Sequence, residues 1–347
     1  MKQGTKRKRT SREGRLDIRS VAAHAGVSVS TVSRVVNRNP RVDEELAERV
    51  RESIRELGYI PSRVARSLVS GRSSTFGVII SDITNPFFPE LIQGFEDAAV
   101  EVGYETLIGS TNYDLLKMEA CVDRMLERKV DGVAVMTFGI EGPLLDRLAA
   151  RGIPMVFIDK APATQKSLAI SIDYAQGIAA AVDHVAKLGH ERIAFLSGPP
   201  ALHSAVARRR AFQAAMKKAG LKVEPSYMVT GDHMLERGME AAEKLLKLSV
   251  PPTAILCSND LSAIGAMHAV SAAGLSVPRD VSVVGFDDVR FSEFLIPPLT
   301  TVRMSRNDIA RAAVQLLQQL VAGGEHPPLP AIGTSLIVRQ STSQVKH

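Results

Sequence analysis

Apolar residues follow two different periods along the 347-residue chain, one before Thr75 and one after it. Before Thr75 they recur at i, i+3, i+4 and i+7, which is the period of one face of a helix. This spacing predicts three short helices, whose apolar positions are Ile18, Val21, Ala22 and Ala25, then Val32, Val35 and Val36, then Leu46, Val50, Ile54 and Leu57. Asp17, Ser28 and Asp43 precede these helices and are favourable N-cap residues.

The second predicted helix has two unlike faces. Opposite its valines lie Ser30, Ser33, Arg34 and Asn37, again at helical spacing. Two helices of about eight residues joined at Gly26 match the helix-turn-helix layout. Short hydroxyl and amide side chains beside an arginine suit base edges and phosphates in a major groove. An ordinary helical hairpin with a solvated polar face is the alternative that this stretch leaves open.

After Thr75, short apolar runs typical of strands alternate with segments of helical period. The predicted strands are Phe76–Ile80, Glu105–Ile108, Gly132–Met136, Met155–Ile158, Ile193–Leu196, Tyr227–Val229, Ala254–Leu256 and Val281–Val284. Among the helical segments between them are Phe88–Val102, Ala175–Leu188, Ser204–Ala219, Leu235–Leu248 and Leu261–Ala273. This alternation predicts doubly wound parallel sheets with helices on both faces. The length of the segment favours two similar lobes over one very large sheet.

The pattern divides the chain into four parts. Residues 1–16 are predicted to be a disordered basic arm, 17–61 an all-α helix-turn-helix headpiece, and 75–347 an α/β domain of two lobes. Residues 62–74 are predicted to form a linker that contains a short basic helix. A helix of this length is unstable alone, so either it orders only on meeting a partner or it is permanently docked; the pattern leaves both open.

Charge is distributed unevenly. Residues 1–75 contain 17 Lys and Arg against 8 Asp and Glu, a net charge of +9, whereas the remainder carries −3. A basic head on a mildly acidic body is typical of a nucleic-acid-binding protein. The alternative is a solubilising basic tail, since Lys6–Arg9 alone supplies four positive charges.

Several classes of protein have no support in the sequence. No apolar run approaches the roughly 20 residues of a membrane helix, and the N-terminus lacks the apolar segment of a signal peptide, so we expect a cytoplasmic location with no membrane partner. Cys121 and Cys257 are predicted to be buried free thiols. Phosphate-binding glycine loops, nucleophile elbows and histidines at metal-ligand spacing are missing. We therefore expect no catalytic residues, no metal and no cofactor.

Ligands of doubly wound sheets bind beyond the carboxyl ends of the strands. In this chain those positions carry carboxylates, amides, cations and aromatic rings, within Ser81–Phe88, Asp159–Lys160, Arg208, Cys257–Asp260 and Asp287–Asp288. Together they predict a polar, sugar-like ligand, whose hydroxyls need hydrogen bonds and whose ring faces are apolar. Taken singly, each residue could instead be a helix cap or part of the core.

Several motifs resemble the lactose/galactose repressor family of bacterial transcription regulators. The most specific are Val21–Asn37, Leu57–Pro61 and Val64–Leu68. Asn85–Phe88, Leu188–His190 and Val284–Asp288 resemble the sugar-binding body of that family, which has the periplasmic-binding-protein fold. The likeness covers essentially the whole chain from Asp17 onward.

The resemblance implies a homodimer, and leaves a tetramer open, that binds a near-palindromic operator and acts as a repressor. Val29, Ser30 and Arg34 would face bases, and Ser28, Thr31, Ser33 and Asn37 would lie nearer the phosphates. The linker helices would pair in the minor groove, where Leu68 matches the family's intercalating leucine. The further DNA contacts expected from it are Tyr59, Ser62, Arg63 and Arg66.

The resemblance also implies that an effector binds between the lobes and controls operator binding. The effector contacts expected from it are Asn85, Phe87, Phe88, Asp159, Lys160, Arg208, Asn259 and Asp287. The N-lobe would comprise about 75–172 and 303–333, and the C-lobe about 173–302 and 334–347. His233 and Met304 stand at two positions that usually touch the effector in the family, where other residue types are common. A solute-binding protein that serves a transporter and a sugar-modifying enzyme are the two rival classes.

Overall fold

The computed structural model describes residues 16–37, 41–60, 71–137, 142–159, 161, 166–323 and 331–345. The chain forms two compact units, which divide between Ser73 and Ser74. Within the described residues, no helix has the length and apolar character needed to cross a membrane.

The first unit contains the headpiece, whose three helices are α1 (Ile18–Ala25), α2 (Val29–Val36) and α3 (Glu44–Leu57). The predicted caps are present: the Asp17 carboxylate accepts from two backbone N–H groups of α1, and Ser28 and Asp43 begin α2 and α3 in the same way. Gly26 adopts φ 63°, the left-handed conformation that ends α1. A small core of Val21, Ala22, Ala25, Val32 and Val50 holds the helices together.

The second unit begins with a five-stranded parallel sheet. Its strands are β1 (Thr75–Ile80), β2 (Glu105–Ser110), β3 (Gly132–Met136), β4 (Met155–Ile158) and β5 (Ser167–Ile170), in the spatial order β2-β1-β3-β4-β5. Helices α4 (Phe87–Glu101), α5 (Leu115–Glu127) and α6 (Gly142–Ala150) connect them. This sheet and its helices form the N-lobe.

A seven-stranded sheet forms the C-lobe. Its strands are β6 (Ile172–Asp173), β7 (Ile193–Ser197), β8 (Met228–Thr230), β9 (Ala254–Cys257), β10 (Ser282–Asp287), β11 (Thr300–Met304) and β12 (Ile332–Ile337), in the order β6-β12-β11-β10-β9-β7-β8. Only the β11–β12 pair is antiparallel among the described strands. The accompanying helices are α7 (Tyr174–Lys187), α8 (His203–Lys218), α9 (Leu235–Leu246) and α10 (Asp260–Ala272).

The chain passes between the lobes more than once. It leaves the first sheet after Ile170, returns after Met304 as α11 (Arg306–Ala322), and then re-enters the second sheet as β12. Helix α11 packs against α4 and the strands of the first sheet and buries one apolar face there. The predicted fold class, a helix-turn-helix headpiece with a two-lobed α/β domain, is confirmed.

The eight predicted strands are present, although the one expected at Tyr227 starts at Met228, because residues 225–227 form a short 3-10 helix. Four further strands, β5, β6, β11 and β12, were not predicted. Cys121 and Cys257 are buried free thiols, as expected.

Helices α9 and α10 cross so closely that a glycine is required. A Cβ added at Gly265 would lie 2.1 Å from the Leu235 carbonyl oxygen and 2.7 Å from the Met239 amide nitrogen. Helix propensity alone would favour Gly265→Ala by about 1 kcal/mol. We expect the opposite, a loss of about 2 kcal/mol in the free energy of unfolding, because backbone atoms must move apart. Urea unfolding measures it, with the exposed Ser271→Ala as the control; a stabilised Gly265→Ala variant would contradict the close crossing.

Candidate functional site

The polar face of α2 is accessible in the headpiece. The predicted DNA contacts that are exposed there are Ser28, Val29, Ser30, Arg34 and Asn37. Thr31 and Ser33 are half-buried, and Val32 points the other way into the headpiece core. The Ser28 hydroxyl caps α2 by accepting from the Thr31 amide at 3.1 Å. One helix therefore presents the polar side chains while its valines secure it.

The remaining predicted DNA contacts are placed differently. Tyr59 is half-buried and packs against the headpiece core. Ser62, Arg63, Arg66 and Leu68 lie outside the described residues, as does the predicted effector contact Lys160.

A cleft opens between the lobes beyond the carboxyl ends of their strands. It encloses about 380 Å³ including its mouth. Its lining consists of Asn85, Phe87, Phe88, Tyr113, Leu202, Ser204, Arg208, His233, Asn259 and Asp287. Seven of these are among the ten predicted effector contacts, and they come from both lobes.

The N-lobe wall of the cleft is aromatic. Phe87 and Phe88 meet edge to face, with ring centroids 5.3 Å apart. The Asn85 side-chain oxygen accepts from the Phe87 amide at 3.0 Å and so fixes the turn into α4. Tyr113 follows β2 with φ 56° and brings a phenol to the opening.

Arg208 is the central cation of the cleft. It is only 3% exposed, and its guanidinium lies 4.0 Å from the Phe286 ring centroid and 4.9 Å from that of Tyr174. One terminal nitrogen donates to the Ser258 carbonyl oxygen, and the other lies 3.6 Å from the Asp287 carboxylate. Its Nε is buried and has no hydrogen-bond partner among the described residues.

His233 forms part of the C-lobe wall. Its Nε2 lies 2.8 Å from the Ser258 hydroxyl, and its carbonyl accepts from the Asn259 side-chain amide at 2.8 Å. The ring rests directly on Gly198, where a Cβ would approach Nε2 to 2.0 Å. Burial lowers the pKa of His233 to about 3, with a smaller contribution from Arg208, so the imidazole is neutral.

Two buried carboxylates near β10 have distinct environments. Asp260 accepts hydrogen bonds from the Val289 amide and the Ser292 and Thr301 hydroxyls, which is the pattern of a structural anchor. Asp287 lines the cleft and has Arg208 beside it. Burial raises the pKa of Asp287 to about 7, although Arg208 acts in the opposite direction.

Two predicted effector contacts lie away from the lining. Asp159 sits behind it, where its carboxylate accepts from the Tyr174 hydroxyl at 2.8 Å; burial raises its pKa. Met304 is completely buried in the core, because its position on β11 faces the packed helices. Sequence reasoning missed Tyr113, Leu202 and Ser204, although Tyr113 follows a predicted strand and could have been found there.

The raised pKa of Asp287 predicts a pH dependence of stability. Between about pH 4 and pH 7 the native carboxyl keeps a proton that the unfolded chain has lost, so stability falls as the pH rises, by up to about 1 kcal/mol per unit. We expect Asp287→Asn to remove this slope. Urea unfolding at pH 5, 6, 7 and 8 measures it. His233 and Asp260, whose pKa burial raises to about 6, titrate over overlapping ranges, so the test compares the slopes of the two proteins; parallel curves for both proteins would contradict the raised pKa of Asp287.

An exposed polar helix on a small helical headpiece, followed by a two-lobed body with a polar cleft, defines a DNA-binding regulator with a small-molecule site. The model of bacterial regulatory proteins of the lacI family matches residues 17–62, and that of the periplasmic binding protein-like domain matches residues 182–342. The chain belongs to the LacI family of transcriptional regulators.

The relatives span nearly the whole chain. The transcriptional repressor PurR of Photobacterium profundum is 34% identical, over 94% of this chain and 99% of the relative. Catabolite control protein A of Priestia megaterium is 37% identical, and the ribose operon repressor of Escherichia coli K12 is 35% identical; each match covers 86% of this chain and 91% of the relative.

Solved structures agree with this assignment. The Lac repressor dimer bound to operator and the anti-inducer ONPF matches with a TM-score of 0.82 and 30% identity, over 94% of this chain and 99% of that chain. The complex of the transcriptional regulator CelR with cellobiose matches with a TM-score of 0.72 and 28% identity, over 94% and 100%. The expected family is confirmed, and the headpiece separates this chain from a plain solute-binding protein.

Proposed function

We propose that this protein represses transcription as a homodimer on a near-palindromic operator and that a neutral, polyhydroxylated small molecule, a monosaccharide or a close derivative, controls it from the cleft. The observation that carries the choice of effector is the buried Arg208–Asp287 pair, with the Arg208 Nε unpaired among the described residues. A guanidinium N–H and a carboxylate side by side offer a donor and an acceptor to neighbouring hydroxyls.

The charges of the cleft favour a neutral effector over a phosphorylated one. Arg208 is the sole cation of the lining within the described residues, and it already faces Asp287. His233 stays neutral, and Asp159 adds a second carboxyl group close behind. Among the described residues, a phosphate would meet two acidic groups and one cation that is already paired, at a cost in desolvation that hydroxyl groups do not incur.

The shape of the cleft supports the same class of ligand. Phe87 and Phe88 supply apolar faces on one side, and Asn259, Ser204 and His233 supply polar groups on the other. A sugar ring has this combination of apolar faces and a polar edge.

Exposed apolar side chains support dimerisation. In the C-lobe, Phe291, Phe294 and Ile296 are 59%, 67% and 97% exposed, and in the N-lobe Leu115 and Leu116 are 64% and 76% exposed. Such clusters usually mark protein interfaces. One cluster on each lobe fits a partner that runs along both, and the Lac repressor, a similar structure, is a dimer on its operator.

The assignment of DNA contacts rests on the exposed face of α2. Val29, Ser30 and Arg34 are proposed to meet bases, and the flanking hydroxyl and amide side chains to meet phosphates. We propose Tyr59, Ser62, Arg63 and Arg66 as further DNA contacts and Leu68 as the leucine that intercalates in the minor groove. The protein would act in the cytoplasm on the chromosome, as a binding protein without catalytic activity, in keeping with relatives named as repressors.

The test combines operator selection with a ligand screen. The full-length protein selects duplexes from a random library, and the enriched duplex is titrated in a gel-shift assay at several salt concentrations. Thermal shift then compares D-ribose, D-galactose, D-fructose, their phosphates, hypoxanthine and guanine. We expect an inverted-repeat operator and stabilisation by a neutral sugar. Selection of no duplex would overturn the regulator, stabilisation only by phosphates or nucleobases would overturn the neutral effector, and turnover of a sugar would favour an enzyme.

A further inference from the structure

Arg306, the first residue of α11, binds groups from both lobes. Its Nε donates to the Glu90 carboxylate of α4 at 2.8 Å, and its Nη2 lies 2.7 Å from the same oxygen. The terminal nitrogens also donate to two carbonyl oxygens of the C-lobe, that of Asp287 at 2.5 Å and that of Asp288 at 2.8 Å. The side chain is only 12% exposed, so these bonds are largely shielded from water.

The two sets of bonds belong to different bodies. Helix α11 packs on α4 and the first sheet, so Arg306 and Glu90 both belong to the N-lobe. The carbonyls of Asp287 and Asp288 end β10 in the second sheet. The bonds from Arg306 to the two carbonyls therefore connect the lobes, whereas its pair with Glu90 lies within the N-lobe.

The backbone that Arg306 holds is unusual. Asp287 and Asp288 have φ 118° and 55°, conformations that non-glycine residues adopt at a cost and keep only where neighbours hold them. The Asp288 carboxylate is held by Arg303 at 2.6 Å and Arg339 at 2.7 Å. Arg306 supplies the corresponding restraint from the other lobe.

Both walls of the cleft meet at this guanidinium. The Asp287 side chain lines the C-lobe wall, and the Phe87 ring, which lines the N-lobe wall, has its centroid 6.0 Å from Arg306. Glu90 lies one turn further along α4 from Phe87. A displacement of Asp287 is thus coupled mechanically to the start of α4.

We propose that Arg306 is a positioning residue, a latch that holds the lobes together at the cleft and fixes Asp287 in its strained conformation. A molecule that binds Asp287 and Phe87 would stabilise the latched arrangement, and loss of the latch would separate the two walls. That a small molecule uses the latch rests on the proposed function, whereas the latch itself requires no ligand.

The test is hydrogen exchange on the full-length, ligand-free protein. Arg306→Met keeps the length of the aliphatic stem but removes all the donors. We expect amide exchange in 284–290 and in 86–92 to become at least about fivefold faster, with other segments unchanged. Arg306→Lys, which keeps the charge but not the forked geometry, should restore part of the protection. Arg311→Met, an exposed position on the same helix, is the matched control.

The outcomes separate the latch from simple loss of stability. If Arg306→Met exchanges like Arg311→Met in both segments, the latch is wrong, and equal acceleration across the whole domain would also refute it. Should Arg306→Met fail to fold, Glu90→Leu removes the N-lobe acceptor of Arg306, and we expect it to accelerate exchange in 86–92 by about threefold; unchanged exchange there overturns the proposal. Because no ligand is present, a failed sugar screen would leave this result unaffected.

Discussion

Replacing Arg208 by methionine is expected to abolish the response to the neutral sugar while leaving operator binding intact. The substitution keeps an apolar stem between Tyr174 and Phe286 but leaves the buried Asp287 without its cation. The variant also loses the charged N–H donors proposed to bind the sugar hydroxyls, and a hydrogen bond from a charged group contributes about 1.5–3 kcal/mol. We therefore expect sugar affinity to fall about 10- to 100-fold, as measured by calorimetry with the sugar that emerges from the screen.

The neighbouring residue provides the control. Arg209 is exposed on the same helix and lines a different surface hollow, so Arg209→Met should change sugar affinity less than about twofold. Operator affinity in the absence of sugar should match the unmodified protein in both variants. An equal loss of sugar affinity in both would show that Arg208 acts through general folding rather than through the cleft.

Placing a charge at Val32 is expected to abolish operator binding altogether. Val32 is completely buried between α1 and α3 in a core of only a few side chains. A buried, unpaired carboxylate costs several kcal/mol, which exceeds what a headpiece of this size can lose. We expect Val32→Asp to lower operator affinity more than about 1000-fold, measured by gel shift, while the effector domain keeps its thermal midpoint.

Val29→Asp separates folding from recognition. Val29 is 41% exposed on the face of α2 that carries Ser30 and Arg34. Its charged variant should keep the headpiece folded, judged by its nuclear magnetic resonance dispersion, yet bind operator about 10- to 100-fold more weakly, because the carboxylate repels phosphates. If Val32→Asp kept a folded headpiece and bound operator normally, the assignment of α2 would be wrong.

Helices and strands with a clear pattern of apolar residues, or with a clear capping residue, were predictable from the sequence. The five-residue apolar run at Gly132–Met136 can hardly be anything but a buried parallel strand, and the structure buries all of it. Asp17 and Gly26 identify the two ends of α1. The Asp17 carboxylate accepts from backbone N–H groups of the first turn, and Gly26 adopts the left-handed conformation that ends the helix. Strands β5 and β12 escaped prediction because two of four residues in β5 and five of six in β12 are at least partly exposed, so neither forms a continuous apolar run.

The part of the cleft that is lined by polar residues at the ends of strands was predictable from the sequence. Asn85, Arg208 and Asp287 stand out as polar residues in such places, and the fold brings them together. Leu202 carries no such signal, since only the packing of two lobes reveals that its side chain lines the cleft. Whether the lining residues bind an effector stays a prediction, as does the role of the exposed face of α2.

Helix α11 packs on the N-lobe but is synthesised long after the sheet that it covers. The apolar strip of α11, with Ile309, Val314 and Leu317 among its buried residues, covers a sheet that ends at Ile170. At 5–20 residues per second, the ribosome needs roughly 8–30 s to make the chain between that sheet and the end of α11. During that interval the nascent N-lobe carries an uncovered hydrophobic face, which is a natural point of engagement for chaperones. A chain released before Ala322 would keep that face exposed and would be a substrate for degradation.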